Sequence, residues 1–226
     1  MKRLSLLAVT ALIISCFSVY ADEERDKFIS DLLEMAKTKQ VPVTMEQASV
    51  VFDSATSSLY NSLFFIIDAT GNKEKSRQMR SSLEQLNGTD KNDKKAQKKA
   101  AKEKQILLEE ATADAKSALT AGEGERKDLA QESVGDMMKA LTYLSNGIIN
   151  DVLVAAGTPT IINDLKAKGK SPAIVKEVNA AISLGKSAPA QLVALKDITA
   201  SLITFMKTRG LKVPNASEAM AGAEKE

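Results

Sequence analysis

The sequence contains no histidine, no tryptophan and only one cysteine, Cys16, among its 226 residues. Without histidine, neither a Ser-His-Asp triad nor a Cys-His nucleophile pair can form. Zinc, copper and haem sites depend mainly on histidine and cysteine, so the composition argues against them as well. No stretch has the acidic spacing around a glycine that a calcium-binding loop requires. The sequence therefore predicts a protein that is not an enzyme and holds no metal or cofactor.

The first residues are typical of a secretory signal peptide. Lys2 and Arg3 precede an apolar run over 4–14, and Val19-Tyr20-Ala21 offers small or tolerated residues at a cleavage point. The apolar run is shorter than the roughly 20 residues that span a membrane. We therefore expect cleavage between Ala21 and Asp22 and export of the mature chain to the periplasm or out of the cell.

Cys16 leaves a second interpretation of this segment open. It follows Ile13-Ile14-Ser15, which resembles the lipobox of bacterial lipoproteins, and a lipid on Cys16 would anchor the protein to the outer membrane. Phe17 is an awkward residue after a lipidated cysteine, whereas Ala21-Asp22 is an ordinary cleavage point. Cleavage after Ala21 is the favoured prediction, and lipidation is the alternative.

The charge of the mature chain is balanced. The full sequence has 31 Lys and Arg against 29 Asp and Glu, and removal of Lys2 and Arg3 with the signal makes it formally neutral. Aromatic residues make up 4% of the chain and none interleaves with its lysine-rich stretch, so base stacking is not supported. We expect no nucleic-acid partner. The expected partners are an envelope protein, an anionic surface, or a second copy bound through helix faces.

Apolar residues recur at helical spacing along most of the chain. The longest amphipathic run is 125–156, where the strongest apolar residues, Met138, Leu141, Leu144, Ile148, Val152 and Ala155, are 3, 3, 4, 4 and 3 positions apart. A helix rich in Ala, Lys and Glu is predicted at 91–120, and a glycine turn at 122–124 separates the two. Further helices are predicted at 22–39, 44–69, 73–87, 159–168, 172–184 and 189–209, with Gly157, Pro159, Gly185 and Pro189 among the breaks.

These patterns predict an all-α fold without strands. We expect an elongated antiparallel bundle built on a helical hairpin of 91–120 and 125–156, forming one domain over 22–210, with a flexible tail at 211–226. Because 91–120 offers mostly alanine, the large residues of the long helix should be covered by 44–69 and 189–209. The apolar run at 59–67 is expected to be core, with a membrane-seeking segment as the alternative.

Two groups of side chains are candidate contact sites. Lys91, Lys95, Lys98 and Lys102 share one helix face, which could meet an anionic surface; the favoured interpretation is a solvated face balanced by later acids such as Glu109, Glu110 and Asp114. Tyr143, Asn146, Asn150 and Asp151 lie on one side of the long helix and could line a polar groove or fix the register of the bundle. Asp151 is the carboxylate whose burial and pKa matter most.

Taken together, the sequence predicts an exported, non-enzymatic helical bundle that acts through protein–protein or envelope-surface contacts. The alternative is a membrane-active helical protein that forms pores or destabilises the envelope, suggested by the apolar run at 59–67 beside the lysine-rich helix.

Overall fold

The computed structural model describes residues 23–90, 92–121 and 131–221. These residues form seven packed helices and no strand, so the predicted all-α fold is confirmed. The helices are α1 (Glu23–Lys37), α2 (Met45–Ala69), α3 (Lys73–Asn87), α4 (Lys94–Ala121), α5 (Gln131–Ala167), α6 (Pro172–Thr208) and α7 (Ala216–Ala221). The predicted cleavage point, Cys16, Lys91 and the turn at 122–124 lie outside the described residues.

Helix α5 is the centre of the bundle, and α2 and α6 are its principal neighbours. Asn150 on α5 lies level with Ser54 on α2, and Tyr143 stacks on Phe65, so α2 and α5 run antiparallel. The two large neighbours are those predicted to cover the long helix, and that prediction is confirmed. The apolar run of α2 is core, because its residues Leu59, Tyr60, Leu63, Phe64, Ile66 and Ile67 are all buried.

The predicted pairing of the alanine-rich helix with the long helix is not what the structure has. Helix α4 packs mainly against α2, with α3 and α6 as its further neighbours. The Tyr60 hydroxyl donates a hydrogen bond to the Lys104 carbonyl oxygen at 2.5 Å, and Lys75 of α3 pairs with Asp114 at 2.5 Å. The physical reason is that larger side chains of α2 and α6 already cover α5. The small residues of α4 instead let it approach the outer face of α2.

Two predicted helix breaks are absent. Helix α5 continues through Gly157 and Pro159, and α6 continues through Gly185 and Pro189. The two glycines allow neighbouring segments to pack closely and do not end the helices. A Cβ added at Gly157 would lie 2.4 Å from the Pro42 carbonyl oxygen, and one at Gly185 would lie 2.8 Å from Cγ2 of Thr158. Each proline removes one helical hydrogen bond, and both prolines are exposed.

The break between α5 and α6 is where the sequence predicts it. Gly169 has a φ of 112°, a conformation that side chains with a Cβ rarely adopt. Ser171 then caps α6 by accepting a hydrogen bond from the Ile174 N–H at 3.4 Å, and Pro172 occupies the first helical position. At the start of α2, Thr44 caps the helix by accepting a hydrogen bond from the Gln47 N–H at 3.2 Å.

The segment expected to begin a flexible tail packs against the body of the protein over residues 211–221. Helix α7 buries Ala216 and Ala219, and the Thr142 hydroxyl of α5 donates a hydrogen bond to the Ala219 carbonyl oxygen at 2.9 Å. The small side chains that suggested fraying instead allow this short helix to approach α5 closely. Residues 222–226 lie outside the described part of the chain.

The buried apolar residues form two separate clusters. The main core runs between α1, α2, α5 and α6 and includes Leu32, Leu63, Leu141, Leu144, Leu195 and Ile198. The end cluster is much smaller and consists of Ala48, Ile161, Leu165 and Ala181, with Met45, Ile162, Val178 and Leu184 packed around it. Asp151 lies between the main-core residues Ile149 and Val152 without belonging to that cluster, while Gly157 and Thr158 lie between the two clusters along α5.

Candidate functional site

Asp151 is the most unusual side chain in the described residues. It lies in the middle of α5, has an exposed fraction of 0%, and neither carboxyl oxygen has a hydrogen-bond partner. Most buried polar groups in proteins are satisfied, so an isolated carboxyl of this kind needs an explanation. Asp151, whose burial the sequence left open, is therefore completely buried.

Burial raises the pKa of Asp151 from 3.8 to about 8. The cause is desolvation, since transfer of a carboxylate out of water disfavours its charged form. At neutral pH the side chain is consequently held mainly as a neutral carboxylic acid. A protonated carboxyl is far less unfavourable inside a helical bundle than an unpaired charge.

The face of α5 that carries Asp151 points between α2 and α6. Gly147 lies one helical turn before Asp151 on this face. A Cβ added at Gly147 would lie 2.9 Å from Cδ2 of Leu195 on α6 and 3.5 Å from the Ala55 carbonyl oxygen on α2. The lack of a side chain at Gly147 lets the three helices close around this level, which keeps bulk water from the carboxyl.

A second unsatisfied polar atom lies at the same level of the bundle. Gly147 approaches Leu195, and Thr158 approaches Gly185, so in the antiparallel helix α6 the position level with Asp151 is near 191. Gln191 accepts a hydrogen bond from the Thr56 hydroxyl at 3.1 Å through Oε1, but its buried Nε2 has no partner. One short section of the bundle therefore holds three polar atoms without hydrogen bonds: both oxygens of Asp151 and Nε2 of Gln191.

Two of the side chains proposed to line a polar groove, Tyr143 and Asn150, contact α2. Asn150 donates a hydrogen bond to the Ser54 hydroxyl at 3.2 Å. Tyr143 stacks on Phe65 with ring centroids 5.7 Å apart, and Asn146 is half-buried. These side chains border the seam between α2 and α5, while Asp151 lies within the bundle.

The residues that complete the environment of Asp151 were hard to find from the sequence. Gly147 stands between Asn146 and Ile148, and Gln191 and Thr56 lie on helices far apart in the chain. The one signal available was a glycine four positions before a carboxylate on the same helix face. Only the register of α2 and α6 along α5 shows what that glycine and that carboxylate face.

The lysine-rich face at the start of α4 is exposed to solvent. Lys95, Lys98 and Lys102 are all exposed, and Lys99 pairs with Glu103 at 3.5 Å. Asp114, one of the acids expected to balance this face, pairs instead with Lys75 of α3. Such exposed lysines contribute little to stability.

The chemistry open to Asp151 is uptake and release of a proton. Within 23–90, 92–121 and 131–221, no group of three or more acidic side chains is placed to hold a metal ion. The carboxyl has no access to bulk solvent, so a substrate would reach it only after the helices separate. Asp151 is therefore suited to a conformational role.

No protein-family model, no curated protein and no solved structure matches the chain. The function has to be inferred from its own residues.

Proposed function

We propose that this is an exported, non-enzymatic protein that binds a partner helix through an exposed apolar face of α6. The observation that carries the proposal is a line of apolar residues on that helix, Val175, Ile182, Pro189 and Val193, which we name the α6 stripe. The signal pattern at residues 1–21 supports export, and the absence of histidine supports a role other than catalysis.

The α6 stripe has the spacing of a helix–helix interface. Its members are seven, seven and four positions apart, which places them on one side of an α-helix. Val175 is 47% exposed, Ile182 is 37% exposed and Val193 is 55% exposed. Ala181, Leu192 and Leu195, which face the interior, are buried on another side of the same helix. Apolar residues seven positions apart lie on the same side of a helix in successive heptads, as one of the two apolar positions of a coiled coil does.

The other exposed apolar residues do not form such a line. Among the described residues, the remaining large ones are Val43, Val50 and Ile106, which lie before α2, on α2 and on α4. Single exposed apolar residues are ordinary on protein surfaces, whereas an aligned set marks a contact surface. The partner chemistry that fits the α6 stripe is the apolar face of another helix, either in an envelope protein or in a second copy of this chain.

Site-specific crosslinking tests this proposal. A photoreactive amino acid would replace Ile182 or Val193 in separate variants, and the matched control would carry it at Val50, which is 64% exposed and lies outside the stripe. We expect adducts from the two stripe positions and none from Val50. Sedimentation velocity distinguishes a second copy from a different partner. Equal adduct yields at all three positions, or none at any of them, would overturn the proposal.

A membrane-active role is a second candidate, favoured by one observation. Helix α2 is long and apolar enough to cross a membrane, although half of its most apolar window is buried in the bundle. Insertion would require α2 to leave α5 and expose the main core. Co-sedimentation with anionic phospholipid vesicles would support this role. A monomer that stays in the supernatant would reject it.

Lipid anchoring through Cys16 is tested separately. If Cys16 is lipidated, Cys16→Ser abolishes acyl labelling and moves the protein from the membrane fraction to the soluble fraction. Unchanged fractionation and labelling would leave cleavage after Ala21 as the remaining proposal.

A further inference from the structure

We propose that residues 159–184 form a hinged end segment that separates from the main body when Asp151 loses its proton. The end segment comprises the last part of α5, the connection at 168–171 and the first part of α6. It is a conformational switch within the fold, and it does not depend on the partner proposed for the α6 stripe.

The end segment has its own small hydrophobic cluster. Ile161, Leu165 and Ala181 are buried together with Ala48 from the start of α2, and this cluster is separate from the main core. Little apolar surface therefore holds the end segment to the rest of the bundle. Opening at this level leaves the main core intact, whereas separation elsewhere would expose its large side chains.

Both helices that enter the end segment carry a proline at the boundary. Pro159 of α5 cannot donate to the carbonyl of residue 155, and Pro189 of α6 cannot donate to the carbonyl of residue 185. Thr158 and Gly185 are in contact at this level, so the two weakened helical turns lie side by side. Prolines are the commonest site of sharp helix kinks, and two adjacent ones define a hinge.

Asp151 lies on the main-body side of this hinge, where an ionised carboxyl would have no compensating group. Neither of its oxygens accepts a hydrogen bond, and Gln191, level with it on α6, has an unsatisfied amide nitrogen. A charge placed here can be stabilised only by water. Movement of the end segment opens this end of the bundle, so that water can enter between α5 and α6 as far as these two side chains.

The charged side chains nearest to Asp151 on the described parts of the surrounding helices lie mostly at the surface. On α2 the nearest charged positions are Glu46 and Asp53, both exposed, and on α6 they are Lys186 and Asp197, both exposed, and Lys196, which is half-buried. Lys37 at the end of α1 and Lys39 just after it are exposed as well. Desolvation is the single resolved influence on the pKa of Asp151.

The sign of the response follows from proton linkage. The closed state holds the proton of Asp151 up to about pH 8, whereas in the hydrated open state the carboxyl returns toward its ordinary value of 3.8. Between these values the open fraction increases as pH rises, by up to about tenfold per pH unit, and it levels off above the raised pKa.

Hydrogen exchange of the purified protein tests the proposal. After correction for intrinsic exchange, the protection factors of amides in 159–184 should fall at least about tenfold between pH 6 and pH 8. The protection factors of amides in 137–149 should stay unchanged. Asp151→Asn should abolish this difference. Asp164→Asn is the matched control, because Asp164 is an exposed acid on the same helix, and it should behave like the wild type.

Two results would overturn the proposal. One is a loss of protection in 159–184 that is equally large in the Asp151→Asn variant. The other is a wild-type protein in which both regions lose protection in parallel, or in which neither does. The wild-type pH profile decides this second point without any variant, so a folding defect in Asp151→Asn does not prevent the test.

Discussion

The main core and the end cluster are built by the same two helices, α5 and α6, with very different side chains. In the main core, Leu141, Leu144 and Leu195 are fully buried and pack against α2. Nearer the end cluster, the residues of α5 include Asp151, Gly157 and Thr158. A helix can therefore remain continuous while the packing that stabilises it changes from large apolar side chains to close backbone contacts around an unpaired carboxyl.

The largest expected effect is the pH dependence contributed by Asp151. Because the folded protein holds a proton that the unfolded chain releases, stability falls as pH rises from the ordinary pKa of 3.8 toward the raised value of about 8. Between pH 5 and pH 8 the loss is about 4 kcal/mol. Denaturant unfolding at several pH values should show this loss in the wild type, and Asp151→Asn should flatten it. A variant with the same slope as the wild type would show that other groups are responsible.

The next effect compares the two clusters directly. Leu144→Ala should lower the free energy of unfolding by about 2–5 kcal/mol, because it leaves a cavity in the main core. Ile161→Ala removes similar surface from the end cluster, so it should mainly lower hydrogen-exchange protection of 159–184. Its effect on global unfolding should be smaller than that of Leu144→Ala. Equal losses of global stability in the two variants would mean that the clusters unfold as one unit.

The glycine contacts at the junction give a smaller effect. A Cβ at Gly157 would lie 2.4 Å from the Pro42 carbonyl oxygen, so Gly157→Ala should destabilise the protein by about 1–3 kcal/mol. Gly135 is the matched control on the same helix, with nothing within 4 Å of an added Cβ. Gly135→Ala should therefore stabilise the protein by about 0.5–1 kcal/mol. Thermal unfolding measures both, and a Gly157→Ala variant as stable as Gly135→Ala would contradict the close packing.

The smallest effect concerns the exposed lysines of α4. Replacing Lys95, Lys98 and Lys102 together by Gln should change the free energy of unfolding by less than about 0.5 kcal/mol, because exposed charges contribute little. The same variant should sediment with anionic vesicles to the same extent as the wild type if this face is merely solvated. A clear loss of vesicle binding would assign the face a role in contact with an anionic surface.

Much of the fold could be predicted from local patterns. The helix periodicity of α2 and the helix start at Pro172 depend on neighbours in the sequence, so both were predictable. The helix breaks expected at Gly157 and Gly185 were not found. These glycines instead allow close contacts with Pro42 and Thr158, which no local sequence pattern reveals. The pairing of α4 with α2 was missed for the same reason.

The candidate site was predictable only in part. Asp151 is recognisable in the sequence as an acidic residue within an apolar helical run, and the structure shows it fully buried. Its relation to Gln191 depends on the register of two antiparallel helices, which is set by close approaches such as Gly147 to Leu195. The spacing of Tyr143 and Asn150 predicts that they share one side of α5, whereas their contacts with Phe65 and Ser54 depend on the register of α2 along α5.

The most direct test of the buried carboxyl is a titration of Asp151 by carbon-13 NMR, with the carboxyl signal assigned through the Asp151→Asn variant. We expect an inflection near pH 8, accompanied by loss of amide protection in 159–184 but not in 137–149. An inflection near the ordinary value of 3.8, with the end segment protected throughout, would contradict this expectation.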